Sequence, residues 1–217
     1  MGSITRSFAN NIGTSGILKA GAFNNASLNN VTALNAAVAT GNMVLISSQT
    51  ASASASISFT TGIDSTYKEY QFWFINIHPA TDETEFQFNM STDSGSNYNV
   101  TKTSTSFRSW HDEADTVTNL SYQTSWDLAQ STAFQNISVG LGSDADQNYS
   151  GTLTLFNPAS TTYVKHFLID GNTTYAADYS IRDFFAGYGN TTSAVNAVQF
   201  KMSSGNFDGN ILLFGIK

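Results

Sequence analysis

Glu85-Phe86-Gln87-Phe88-Asn89-Met90 is the stretch that decides the fold class. Polar and apolar side chains alternate at every step, the period of a strand with one wet and one buried face. Immediately before it, Tyr70-Gln71-Phe72-Trp73-Phe74-Ile75 is largely apolar at both parities and predicts a strand covered on both faces. Further out, Ile57 and Phe59 alternate with Ser58 and Thr60. Toward the other end, strand-like runs cover 134–139, 151–156, 163–169, 175–181, 194–202 and 210–216.

Turn chemistry separates these runs. Asp93-Ser94-Gly95, Asp144-Ala145-Asp146, Asp170-Gly171-Asn172, Ser204-Gly205-Asn206 and Asp208-Gly209 all favour tight reversals. Asp170-Gly171 and Asp208-Gly209 are the best hairpin candidates, since both residue types take positive φ at small cost. Pro79 and Pro158 each follow a strand-like run, where a missing N–H ends ladder pairing. Many short strands joined by polar turns predict an all-β sandwich or a closed sheet.

The texture changes near residue 42. Upstream, Ile4, Phe8, Ile12, Ile17, Leu18 and Phe23 are isolated and interrupted by Gly13, Gly16 and Gly21. Leu28, Val31, Leu34 and Val38 carry helical spacing. The expected division is therefore an extended N-terminal arm over 1–42, ordered by packing on a neighbour, and a β domain over 43–217.

Composition narrows the function classes. Of 217 residues only 12% are charged, while 41% are hydrophobic and 13% aromatic, so the chain holds a core and a surface of hydroxyls and amides. The net charge is −7 with nine scattered Lys and Arg, which disfavours nucleic-acid binding. No run approaches the ~18 apolar residues of a membrane span, and no secretory segment is evident, so no membrane partner is expected. The chain has no Cys, which excludes disulfides and thiolate metal sites.

Several constellations carry candidate chemistry. His111-Asp112-Glu113-Ala114-Asp115 offers an imidazole and carboxylates, but one local run supplies too few fixed ligands, and a solvated loop is the expectation. Asp93-Ser94-Gly95-Ser96-Asn97 and Asp144-Ala145-Asp146-Gln147-Asn148 lack the terminal Glu of a calcium loop and read as hydrogen-bonded turns. His78 and His166 read as core or rim residues, and no nucleophile elbow or phosphate loop accompanies them. Trp73, Trp110 and Trp126 are the aromatic residues from which a sugar-stacking platform would be built. Trp110, Trp126 and His111 are accordingly the candidate glycan or partner contacts. No catalytic residue, cofactor or metal is expected, and the chain reads as a non-enzyme.

Two further segments carry a resemblance. Tyr67-Lys68-Glu69-Tyr70-Gln71-Phe72 is followed by Ile75-Asn76-Ile77-His78-Pro79-Ala80-Thr81-Asp82. Later, Phe200-Lys201-Met202-Ser203-Ser204-Gly205-Asn206-Phe207-Asp208-Gly209 leads to Leu213-Phe214-Gly215-Ile216-Lys217. Over 43–217 the chain resembles a broad group of small structural proteins of tailed bacteriophages, common among marine phages. The resemblance implies a jelly-roll-like antiparallel β-sandwich, often trimeric, located in the virion as a head decoration, a head fibre or a tail-fibre part. Implied partners are copies of the chain itself, the major capsid protein or other virion proteins, and, for a fibre, host-surface glycans. A capsid decoration (cement) role is favoured over a fibre role, because neither heptads nor a shaft repeat is present.

Overall fold

The computed structural model describes residues 42–217. The arm expected over 1–42, apart from its last residue, and the helical spacing at 28–38 lie outside the described residues. Twelve strands follow one another: β1 (Met43–Ser54), β2 (Ile57–Phe59), β3 (Glu69–Pro79), β4 (Thr84–Ser91), β5 (Lys102–Asp112), β6 (Thr118–Tyr122), β7 (Gln135–Leu141), β8 (Tyr149–Phe156), β9 (Lys165–Tyr175), β10 (Tyr179–Gly189), β11 (Ala197–Met202) and β12 (Phe207–Ile216). No helix occurs among the described residues.

All pairings are antiparallel. Eight strands run side by side in the order β1-β12-β3-β8-β9-β10-β5-β6, and four more in the order β7-β4-β11-β2. The two runs join where Leu141 of β7 pairs with Tyr175 at the end of β9. The sheet then folds back on itself, so the described residues form a nearly closed, barrel-like all-β body.

Aromatic residues fill the interior. Phe59, Phe86, Phe88 and Phe200 come from the shorter run; Phe72, Phe74, Tyr149 and Phe167 come from the longer one, and all are buried. Their rings meet edge to face or tilted across the gap, as in Phe59–Phe72 at 5.3 Å, Phe74–Phe86 at 5.2 Å and Phe88–Phe167 at 5.1 Å. Such pairs add to the area they bury. In β4 Phe86, Phe88 and Met90 point inward as the alternation predicts, but the opposite parity is wet only at Glu85 and Gln87, because Asn89 is buried.

Two expected hairpins are corrected. Asp170-Gly171-Asn172 lies in the middle of β9, and the chain reverses later, at residues 176–178, where Asp178 takes φ 62° and donates its N–H to the Tyr175 carbonyl. Gly171 serves close approach instead of a turn. A Cβ there would sit 2.2 Å from the Tyr149 Oη, and Gly151 on the adjacent strand is limited by the same hydroxyl at 2.5 Å. We therefore expect Gly171→Ala to cost about 1–3 kcal/mol by overpacking, measured by denaturant unfolding. Asp208-Gly209 is likewise inside a strand. It forms a bulge in β12, with Gly209 at φ 131° over the Asn76 carbonyl. The β11–β12 reversal uses the other expected turn, Ser204-Gly205-Asn206.

Candidate functional site

The inward face of β5 differs from the other strands because it is polar. Lys102, Ser104, Ser106, Arg108, Trp110 and Asp112 share one parity, and the first three are buried. Lys102 Nζ donates to Asn89 Oδ1 at 2.5 Å and to the Val100 carbonyl at 2.8 Å. Burial without a carboxylate partner lowers its pKa to about 7. Ser104 Oγ donates to Gln135 Oε1 and accepts the Leu128 N–H, which holds the loop after β6 over this face.

Beyond Ser106 lies the most chemically equipped part of the molecule. The Arg108 guanidinium sits 4.8 Å from the Trp110 ring and 4.3 Å from the Trp126 ring. The cation thus lies over two indole rings, an arrangement favoured by the ring quadrupole. Its Nε and Nη1 have no hydrogen-bond partner. The guanidinium–carboxylate pair among the described residues is elsewhere, at Arg182–Asp170.

Asp183 of β10 is directly opposite Arg108 in the register and 1% exposed. Its Oδ2 accepts from Thr173 Oγ1 at 2.8 Å, while Oδ1 is unpartnered. Burial raises the carboxyl to about 7, against the lowering effects of the Thr173 hydroxyl and the Arg108 charge. Opposite Asp183 on β9 is Gly171, over which the unpartnered Tyr149 Oη lies. Burial holds that phenol well above its usual range.

Arg108 and Trp110 open into a cleft of about 300 Å³, completed by Tyr175, Ala177, Tyr179 and Ile181 at the β9–β10 reversal. The Tyr175 and Tyr179 rings are 6.0 Å apart and nearly perpendicular. Tyr175 Oη donates to Glu83 Oε1 at 3.1 Å. A second recess of about 250 Å³ shares Ala177 and Tyr179 with the cleft and adds Asp112, Glu113, Ala114 and Asp178. The Glu113 N–H donates to the Asp178 carbonyl at 3.1 Å, tying the β5–β6 turn to the β9–β10 turn.

Of the three residues singled out in the sequence, Trp110 and Trp126 meet at Arg108, and Trp110 and His111 line a shared hollow of about 530 Å³ at the β5–β6 edge. Trp110 lines the cleft. Trp126 packs on the core and on Arg108. His111 occupies the opposite face of β5, as strand alternation requires, with Nε2 3.0 Å from Asp115 Oδ1. The expected loop at 111–115 is therefore half strand: His111 and Asp112 end β5, and the turn begins after them. Asp112 accepts the Thr116 and Val117 N–H groups and the Thr116 hydroxyl, so its carboxylate closes the turn. Asp93 similarly accepts from Ser91 Oγ and from the Asn97 N–H and Nδ2, which draw its pKa down to about 2. His78 Nδ1 is 2.7 Å from the Gln147 carbonyl, and exposed His166 packs beside Tyr188.

Sequence reasoning missed Arg108, Tyr175, Tyr179 and Asp183. The faint signal was the parity shared by Arg108 and Trp110. Comparison with protein-family models, with curated proteins and with solved structures finds no match to this chain.

Proposed function

We propose that the chain is a structural protein of a bacteriophage particle, a trimeric capsid decoration that bridges neighbouring shell subunits and works by surface contact. The carrying observation is the character of the two ends of the eight-strand run. The end strands β1 and β6 contain no charged residue. Edges without charge are the ones that accept another strand.

Both ends also present apolar side chains on the outer face. Met43, Leu45, Trp73 and Ile75 are exposed across β1 and β3, with Phe214 of the intervening β12 5.0 Å from Trp73. At the other end Phe107, Leu120 and Tyr122 are exposed, and Phe107 packs on Phe184 at 5.0 Å. In a chain of net charge −7, these are the places where an identical acidic copy approaches with least repulsion. Joining the β1 end of one copy to the β6 end of the next is a head-to-tail contact, which closes into a ring when the rotation between copies is a whole fraction of a turn, one third for a trimer.

The strand order supports a jelly-roll reading. Taking β2, β3, β4, β5, β6, β7, β8 and β11 as eight successive strands, one run reads first, eighth, third, sixth. The other reads second, seventh, fourth, fifth, once the β9–β10 hairpin wedged between β8 and β5 is set aside. That is the strand order of a two-sheet jelly roll, with β1 and β12 appended beyond β3. On this reading the arm over residues 1–42 lashes the domain to the shell.

Because the chain has no native Cys, engineered thiols report this contact cleanly. Ser47→Cys combined with Ser121→Cys is expected to give a covalent trimer on oxidation, seen on a non-reducing gel, while each single variant stays monomeric on it. A covalent dimer from Ser47→Cys alone would show β1–β1 pairing instead. Labelled antibody must also decorate intact particles, and absence from purified particles removes the virion reading.

A further inference from the structure

We propose that the cleft under the β9–β10 reversal, together with its adjoining recess, binds a neutral sugar residue. Three features converge there. Trp110, Tyr175 and Tyr179 supply flat apolar walls, suited to the C–H face of a pyranose. Arg108 lines the cleft and supplies a cationic donor group, although its Nε and Nη1 are buried. Glu113 and Asp178, exposed on the rim, supply acceptors for hydroxyl groups. Aromatic walls with donors on one side and acceptors on the other match a polyhydroxylated ring, which needs both at its edge.

The charges exclude the neighbouring ligand classes. A carboxylated or phosphorylated ligand that spans the cleft and the recess meets the carboxylates of Glu113 and Asp178 in the recess, which repel it. A cationic ligand drawn to those carboxylates and spanning both hollows meets the Arg108 guanidinium in the adjoining cleft. A neutral polar ligand meets neither penalty. The cleft volume of about 300 Å³ lies at the small end of ligand sites and suits one ring, with the recess of about 250 Å³ open to a second.

This inference is independent of where the protein sits on a particle. Its test is saturation-transfer NMR with titration calorimetry on the full chain, using glucose, galactose, N-acetylglucosamine and glucuronate. At least one neutral sugar is expected to bind saturably, and glucuronate more weakly than any that does. Tyr179→Ala is expected to weaken binding about 3- to 10-fold by removing one stacking wall. Glu113→Gln with Asp178→Asn, both exposed and outside the core, is expected to weaken it about 10-fold while leaving the melting curve unchanged. If Tyr179→Ala fails to fold, the carboxamide pair alone decides. No saturable binding of any neutral sugar, a preference for glucuronate, or binding indifferent to the carboxamide pair would each overturn the proposal.

Discussion

Phe200→Ala is expected to remove about 3–5 kcal/mol of stability, the largest single loss in the molecule. Phe200 is fully buried on β11, and its ring lies 5.0 Å from Phe72, 5.2 Å from Phe74, 6.0 Å from Phe86 and 6.1 Å from Phe59. Those four rings come from β2, β3 and β4, so the residue ties the shorter run of strands to the longer one. Its removal leaves a void that four rigid rings fill poorly. Domains are stable by only about 5–15 kcal/mol, and a chain of this size loses about 2–4 °C per kcal/mol, so a fall in melting temperature of about 10 °C is expected. Phe184→Ala on the outer face is the control, with an expected loss of about 1 kcal/mol. Equal losses in the two variants would mean that the core is not organised around Phe200.

Asp183→Asn is expected to raise stability above pH 7 and to change nothing at pH 4. The carboxyl is near its ordinary 3.8 in the unfolded chain and about 7 in the folded one. Between those values the folded chain holds a proton that the unfolded chain has released. Stability from this group therefore falls as pH rises from about 4 to about 7 and is flat above. A separation of about three pH units corresponds to about 4 kcal/mol. Asparagine mimics the neutral acid and still accepts from the Thr173 hydroxyl. The difference between variant and wild type, followed by denaturant titration from pH 4 to 9, is expected to grow through this window and then level off. Lys102 has the opposite dependence. Its folded value near 7 lies below the ordinary 10.5, so its protonation on going down through that range destabilises the fold. Asp183→Asn leaves that limb in place, and a flat wild-type profile from pH 4 to 7 would show that Asp183 is already ionised at low pH.

The strands that were readable are those whose inward parity is hydrophobic. β4 announces itself through Phe86, Phe88 and Met90, and β3 through Tyr70, Phe72 and Phe74, although β3 is covered on one face and not on both, with Trp73 and Ile75 exposed on the other. β5 stayed hidden because its inward residues at one end are Lys102, Ser104 and Ser106, which a periodicity of hydropathy cannot register. Lys102 and Ser104 are buried only because Asn89, Gln135 and the loop carrying Leu128 satisfy them. β6 was missed for a related reason, being an exposed five-residue end strand without an inward apolar row. The two misread hairpins share another cause. Asp-Gly is a turn signal only where nothing crowds the glycine, and here Tyr149 covers Gly171 while the Asn76 carbonyl crowds Gly209. The cleft was half visible. Trp110 stands out in any reading, but Tyr175 and Tyr179 gain meaning only when the reversal is placed at 176–178 instead of at Gly171.

The position of β12 has a consequence for the timing of synthesis. This strand is the last of the described strands to leave the ribosome, yet it lies between β1 and β3, near one end of the longer run. β11, made just before it, lies between β4 and β2 in the same way. Until residues 197–216 emerge, β1 and β3 have no common neighbour and Phe200 is missing from between the facing rows. The body thus closes late, when nearly the whole described chain is already made, and its first strands wait with open edges while the rest is translated.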